Sequence, residues 1–241
     1  MTRKLIRVSG ADRVDFLENL VTNHVTGHED GLVYSALLTP QGKLIADFFL
    51  VPDDDTILID VDSGVAQALA QRLTMYKLRA DVSLDWDPRE VAQGAGPMPE
   101  GAFPDPRHAT LGWRQYGATP ATLEDWDARR VAACIPEWGA ELTADTFILE
   151  AGFERLSGVD FRKGCYVGQE VTARMKHKTE LQKGFVRVRV EGPATPGTEI
   201  TSQGKPAGTL HTRVGDEAIA FLRFKRVSDE MSAGYASVTR L

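Results

Sequence analysis

The sequence predicts an α+β fold followed by a small C-terminal antiparallel β-barrel, and three observations carry that reading. Strand-like and helix-like segments alternate, with sequential hairpins, through the first part of the chain. A proline-punctuated stretch follows over residues 88–120. Short alternating strands separated by glycine-containing turns then fill the end. The expected organisation is a first region over residues 1–182, built of two α+β subdomains and loop-rich about 88–120, and a barrel over 183–241.

The elements follow in order. "KLIRVSG" reads as a strand, and "ADRVDFLENLVTNHV" as a helix with Val14, Leu17, Leu20 and Val21 on one stripe, capped by Ser9 or Asp12. "LVYSALLTP" and "KLIADFFLVP" are apolar runs joined across "PQGK", a hairpin signal. "DTILIDVD" is a third strand. "SGVAQALAQRLTMYKL" is a helix capped by Asp62 or Ser63, with Val65, Leu69, Leu73 and Tyr76 inward, and "ADVSLDWD" is a further strand. "TLEDWDARRVAACIPEWG" restores a helix with Thr122 as its candidate cap, and Cys134 reads as core packing at its apolar end. "GFVRVRVEG" opens the barrel, with Val186, Val188 and Val190 on one face.

Bulk properties exclude several classes. The chain has 241 residues and two cysteines, Cys134 and Cys165, without the C-x-x-C spacing of a zinc knuckle or a thioredoxin-type dithiol. A disulfide framework is equally disfavoured, and "MTRKLIRVSGADRVDF" has no apolar run of signal-peptide length. No run approaches the ~20 apolar residues of a membrane span. The expectation is a soluble cytoplasmic monomer. A net charge of −6 argues against a general nucleic-acid binder. The charge is uneven, however: Arg162 to Arg189 holds eight Lys and Arg against two Glu, a local +6. Such a patch suits a carboxylate tail, a phosphate or a short piece of RNA; a solvated charged face is the plainer alternative.

"FRKGCYVGQEVTARMKHK" frames the central question. Glycines 164 and 168 flank Cys165, and a helix starting near Gly168 would turn its free amides toward the thiol. Arg162 and Lys163 add positive charge. All three effects favour the thiolate, whereas an inert cysteine in a tight turn is the bland reading. No histidine–acid pair stands at a spacing that suggests a papain-like hydrolase. Upstream, Glu150 in "DTFILEAGFERLSGVD" follows an apolar run and precedes Gly152, a place where a carboxylate can accept two hydrogen bonds from a planar amidine-like edge.

These stretches resemble the YgfZ family of folate-binding proteins. "KGCYVGQEVTAR" matches its signature, "GADRVDFLENLVTNHV" and "YSALLTPQGKLIADFFLV" look like its opening, and "DTFILEAGFERLSGVD" and "IPEWGAELT" are similar to stretches of the glycine-cleavage aminomethyltransferases. The resemblance implies aminomethyltransferase-like subdomains around a central folate pocket, then the barrel. It implies tetrahydrofolate as cofactor and a role with iron–sulfur proteins or assembly factors, tRNA entering only indirectly through a tRNA-modifying client. Cys165 and Asp47 are the candidate catalytic residues. Glu150, Lys163, Tyr166, Gln169, Glu170 and Arg174 are the candidate cofactor ligands: Glu150 for the pterin edge, Tyr166 or Phe161 for the aromatic middle, Arg174 or Lys176 for the carboxylate tail. No metal site is expected.

Two departures from the family pattern matter. Ala46 precedes Asp47 where amine-cleaving relatives carry paired aspartates, which disfavours glycine cleavage, and His24 stands where many relatives have aspartate. A folate-dependent aminomethyl or methyl transferase is the competing class, and a tRNA-binding module the third.

Overall fold

A computed structural model describes residues 2–25, 31–121, 123–178 and 180–241. The first sheet joins β1 (Arg3–Ser9), β2 (Val33–Leu38), β3 (Leu44–Asp53), β4 (Thr56–Asp62) and β5 (Ser83–Asp87) in the order β2-β3-β4-β1-β5. Alternation along β3 explains why both faces are buried: Phe49 and Val51 enter one core, and Phe48 and Leu50 the other. The second core is roofed by α1 (Arg13–Glu18) and α2 (Ser63–Lys77). Asp62 caps α2 by accepting from the Gly64 amide at 2.8 Å, and Val65, Leu69 and Leu73 are buried as their spacing requires.

α1 is shorter than its apolar stripe suggested and ends at Glu18. Leu17, Leu20 and Val21 are buried regardless, because the chain turns beneath the sheet after the helix. Asp12 makes no cap; its carboxylate accepts instead from the Asp81 amide at 2.8 Å, tying α1 to the start of β5.

Within the proline-rich stretch, β6 (Val91–Gly94), β7 (Ala102–Pro104) and β8 (Trp113–Tyr116) form a three-stranded sheet in the order β6-β8-β7. α3 (Trp126–Ala132) follows; the proposed cap Thr122 lies outside the described residues. After α4 (Gln169–Lys178) come β9 (Lys183–Glu191), β10 (Glu199–Ser202), β11 (Lys205–Val214), β12 (Glu217–Arg223), β13 (Met231–Ala233) and β14 (Ala236–Arg240). These six close into an antiparallel barrel filled by Val188, Val190, Ile200, Leu210, Leu222 and Val238.

The barrel is held to the rest by polar contacts. Buried Arg130 of α3 donates to Glu141 Oε2 at 2.7 Å and to Thr212 Oγ1 of β11 at 2.6 Å. The Phe185 amide of β9 donates to the Glu150 carbonyl at 2.9 Å.

Candidate functional site

The Cys165 loop is built by burying its neighbours. Lys163 has a fully buried side chain whose ammonium donates to the Glu18 and Val21 carbonyls, each at 2.7 Å, and stands 3.5 Å from the Glu18 carboxylate. Lysine therefore pins the loop beneath the end of α1. Burial pushes its pKa down, and Glu18 opposes that push. Tyr166 is buried on the other side of the thiol. Burial raises its phenol to about 12, with Thr172 opposing the rise. With both flanking side chains turned inward, Cys165 is left exposed.

Gly168 explains how the loop closes. Its φ is +83°, and a Cβ there would stand 2.6 Å from the Thr39 carbonyl of the β2–β3 turn. Only glycine permits this conformation and this approach. α4 begins at the next residue, as expected.

The candidate ligands take up local partners, and the expectation for one of them, Lys163, is corrected. Lys163 is spent on backbone carbonyls and has no surface to offer a ligand. Glu170 and Arg174 pair with each other at 2.8 Å on the exposed side of α4. Gln169 donates to the Gly164 carbonyl at 3.3 Å, bracing the loop. Lys176 pairs with Glu154 at 2.5 Å and lies over the Phe161 ring. Much of the basic segment is thus neutralised locally. His24 joins the rim of the loop, 3.0 Å from Glu18 and 3.8 Å from Asp160.

Glu150 lies elsewhere. It lines a hollow of about 240 Å³ with Thr146, Lys183, Phe185, His211 and Phe221. Phe185 and Phe221 pack at a tilt of 58° with centroids 4.9 Å apart, and His211 meets Phe185 edge-on at 5.4 Å. Burial pushes the Glu150 carboxyl up against the opposing Lys183, 3.6 Å away, and Lys43. A buried carboxyl facing aromatic walls fits the edge and face of a pterin ring. The volume is below the ~300–1,000 Å³ of pockets that enclose a drug-sized ligand, so it suits the bicyclic head alone. Cys165, Tyr166 and Arg174 do not line this hollow; among the described residues, Glu150 and Cys165 do not meet in it as expected. The barrel residues that complete the hollow escaped the sequence reading. The visible signal was Phe185, an aromatic on the outward register of a strand whose valines point inward.

Asp47 is buried in the first sheet. One carboxylate oxygen accepts from Tyr34 Oη at 2.9 Å, and the other has no hydrogen-bond partner among the described residues. Burial raises its pKa despite Arg3 and Arg107. Around it the two sheets are filled by ion pairs: Arg3–Asp60 at 2.6 Å, Arg107–Asp105 at 2.8 Å and Arg114 with both aspartates at 3.2 and 3.1 Å. The Arg114 and Arg107 guanidinium groups lie 4.2 and 4.9 Å from the centre of the Phe49 ring. Asp47 thus faces packed side chains rather than an open substrate position. Cys134 is half-buried with its thiol pushed up by burial, opposed by Arg155. Among the described residues, no three His, Cys, Asp or Glu side chains stand together to hold a metal ion, and no helix is long and apolar enough to cross a membrane.

Comparison with known proteins adds the family. Residues 182–240 match the model of the CAF17 C-terminal β-barrel domain. The mouse mitochondrial iron–sulfur cluster assembly factor IBA57 is 31% identical, over 93% of this chain and 76% of that protein. The chain belongs to the IBA57 family. The human member is 28% identical over 93% of this chain. The Neurospora crassa IBA57 homologue is 34% identical over 78% of this chain, which spans only about half (51%) of that protein. These IBA57 relatives are mitochondrial proteins, which overturns the cytoplasmic location expected above. The glycine cleavage system aminomethyltransferase T of Bartonella henselae superposes with a TM-score of 0.78 over 99% of this chain and 82% of that one, at 14% identity. This IBA57-family chain therefore has the aminomethyltransferase-like fold with a C-terminal barrel.

Proposed function

We propose that this protein supports the assembly or repair of iron–sulfur enzymes, tRNA-modifying ones among them, by offering Cys165 as one ligand to a cluster or sulfur species that a partner protein completes. The observation that carries this reading is the exposure of Cys165 between two buried neighbours, Lys163 and Tyr166. Such a loop presents a thiol outward and holds it still. Iron–sulfur clusters are commonly held by four cysteine thiolates, so one cysteine requires a partner to supply the rest. The role of the IBA57 relatives as iron–sulfur cluster assembly factors agrees.

Tetrahydrofolate binding, implied by the YgfZ resemblance, is the second part of the proposal. The pterin head lies in the hollow against Glu150, with Phe185 and Phe221 forming its aromatic wall, and the tail extends outside. A folate-dependent one-carbon transferase is the competing class; the burial of Asp47 and the Arg–Asp packing around it speak against it.

The test is deletion of the gene followed by assay of several iron–sulfur enzymes, with rescue by wild type, Cys165→Ser and Glu150→Gln. Rescue by wild type but not Cys165→Ser is expected. Full rescue by Cys165→Ser removes the thiol from the function. Calorimetry with tetrahydrofolate addresses the cofactor separately: equal affinity in wild type and Glu150→Gln removes Glu150 from the site.

A further inference from the structure

β5 is the outer strand of its sheet, and among the described residues no strand pairs with its far edge. Its unpaired amides and carbonyls are a template for another extended chain. α2 packs chiefly on β1, β3 and β4, so the face of β5 beneath it stays open. The result is two adjoining hollows. One, of about 520 Å³, is lined by Ile6, Ala70, Thr74, Met75 and Leu84, and the other, of about 430 Å³, by Lys4, Ala66 and Pro88; Gln67 and Trp86 line both. Trp86 is 51% and Met75 66% exposed. Large apolar side chains gathered at an open strand edge mark an interaction site.

Alternation along β5 sets what can dock. By alternation Leu84 and Trp86 point into the groove, while Ser83, Asp85 and Asp87 point to the opposite face with Arg7, whose register partner is Asp85; Asp85 and Asp87 also border the two hollows. Arg7 is already bonded to Asp53 and Asp87, and Asp85 is exposed. A second copy of this chain is a poor occupant. A two-fold antiparallel pairing centred on Ser83 sets Asp85 opposite Asp81 of the other copy, and one centred on Leu84 sets Asp87 opposite Asp81. Centring on Asp85 opposes it to itself, and centring on Trp86 opposes Asp85 to Asp87. Directly opposed like charges destabilise a strand pair.

We propose that the β5 edge and its groove dock an extended segment of another protein, in which apolar residues alternate with Lys or Arg. The segment adds a strand beside β5. Its apolar side chains enter the groove beside Trp86 and Met75, and its cations lie along Asp85 and Asp81. This surface is separate from the Cys165 loop and stands whether or not the thiol binds a cluster.

The test uses the full chain and a synthetic peptide alternating valine and lysine, with a proline-interrupted peptide of the same composition and a valine–glutamate peptide as controls. Slowed amide exchange confined to residues 83–87 is expected with the valine–lysine peptide. Trp86→Ala should weaken its binding about tenfold, and Asp85→Lys should switch the preference to the valine–glutamate peptide. Both positions are exposed, and an unchanged exchange pattern in the barrel serves as the folding control. Equal binding of the proline-interrupted peptide overturns the proposal. So does an unaltered preference in Asp85→Lys, or concentration-dependent self-association that protects 83–87 without peptide.

Discussion

Asp87 closes β5 with its side chain 1% exposed, held by the guanidinium groups of Arg7 and Arg89. Burial works to raise its pKa, but hydrogen bonds from the Arg89 side chain and backbone and from Arg7 outweigh that and hold it at about 2. A carboxyl depressed in the folded state contributes stability above its unfolded pKa and loses it as pH falls through the folded value. Between about pH 4 and pH 2 the protein should lose roughly 2 kcal/mol from this residue. Urea unfolding at stepped pH should show a shallower acid limb for Asp87→Asn than for wild type. The glycine-flanked thiol, by contrast, was legible as a motif from Gly164, Cys165 and Gly168 alone. Lys163 was misassigned because a cation beside a cysteine looks like a ligand group, and nothing in sequence says that Glu18 and Val21 offer it carbonyls.

At the scale of elements, the turn between β2 and β3 and the Cys165 loop are one mechanical unit, since Gly168 lies against Thr39 and Gly42 against Val171. Gly168→Ala should cost about 1–3 kcal/mol from its positive φ, with the clash against the Thr39 carbonyl added. Gly164→Ala, where a Cβ meets nothing within 4 Å, should stay within about 0.5 kcal/mol. Urea midpoints check both values. Iodoacetamide labelling, monitored by mass spectrometry, should reach Cys165 well before Cys134 in wild type and faster still in Gly168→Ala. Strand and helix identities were readable from periodicity, as with α2, whose Asp62 cap stands where predicted. The early end of α1 was not, because the apolar stripe continues past Glu18 into a turn that buries Leu20 and Val21 equally well.

Across the whole molecule, the barrel is tied to the first region through the Arg130–Glu141–Thr212 contacts. Removing Glu141 leaves a buried guanidinium short of its shortest carboxylate contact outside α3, a loss of about 3 kcal/mol. All four tryptophans, Trp86, Trp113, Trp126 and Trp138, precede the barrel, so fluorescence follows the first region while far-UV circular dichroism follows both. Wild type should give coincident urea transitions by the two probes, and Glu141→Ala should separate them.

From the order of its residues, this chain could be assigned its fold class, its barrel, its family resemblance and a candidate thiol, because periodicity, glycine placement and a rare motif are local properties of the chain. Which side chains share a cavity was decided in three dimensions. Glu150 meets Phe185, His211 and Phe221 of the barrel instead of Cys165, since strand closure brings together residues dozens of positions apart. The open edge of β5 arises in the same way: sheet order, set by packing, determines which strand is left without a neighbour.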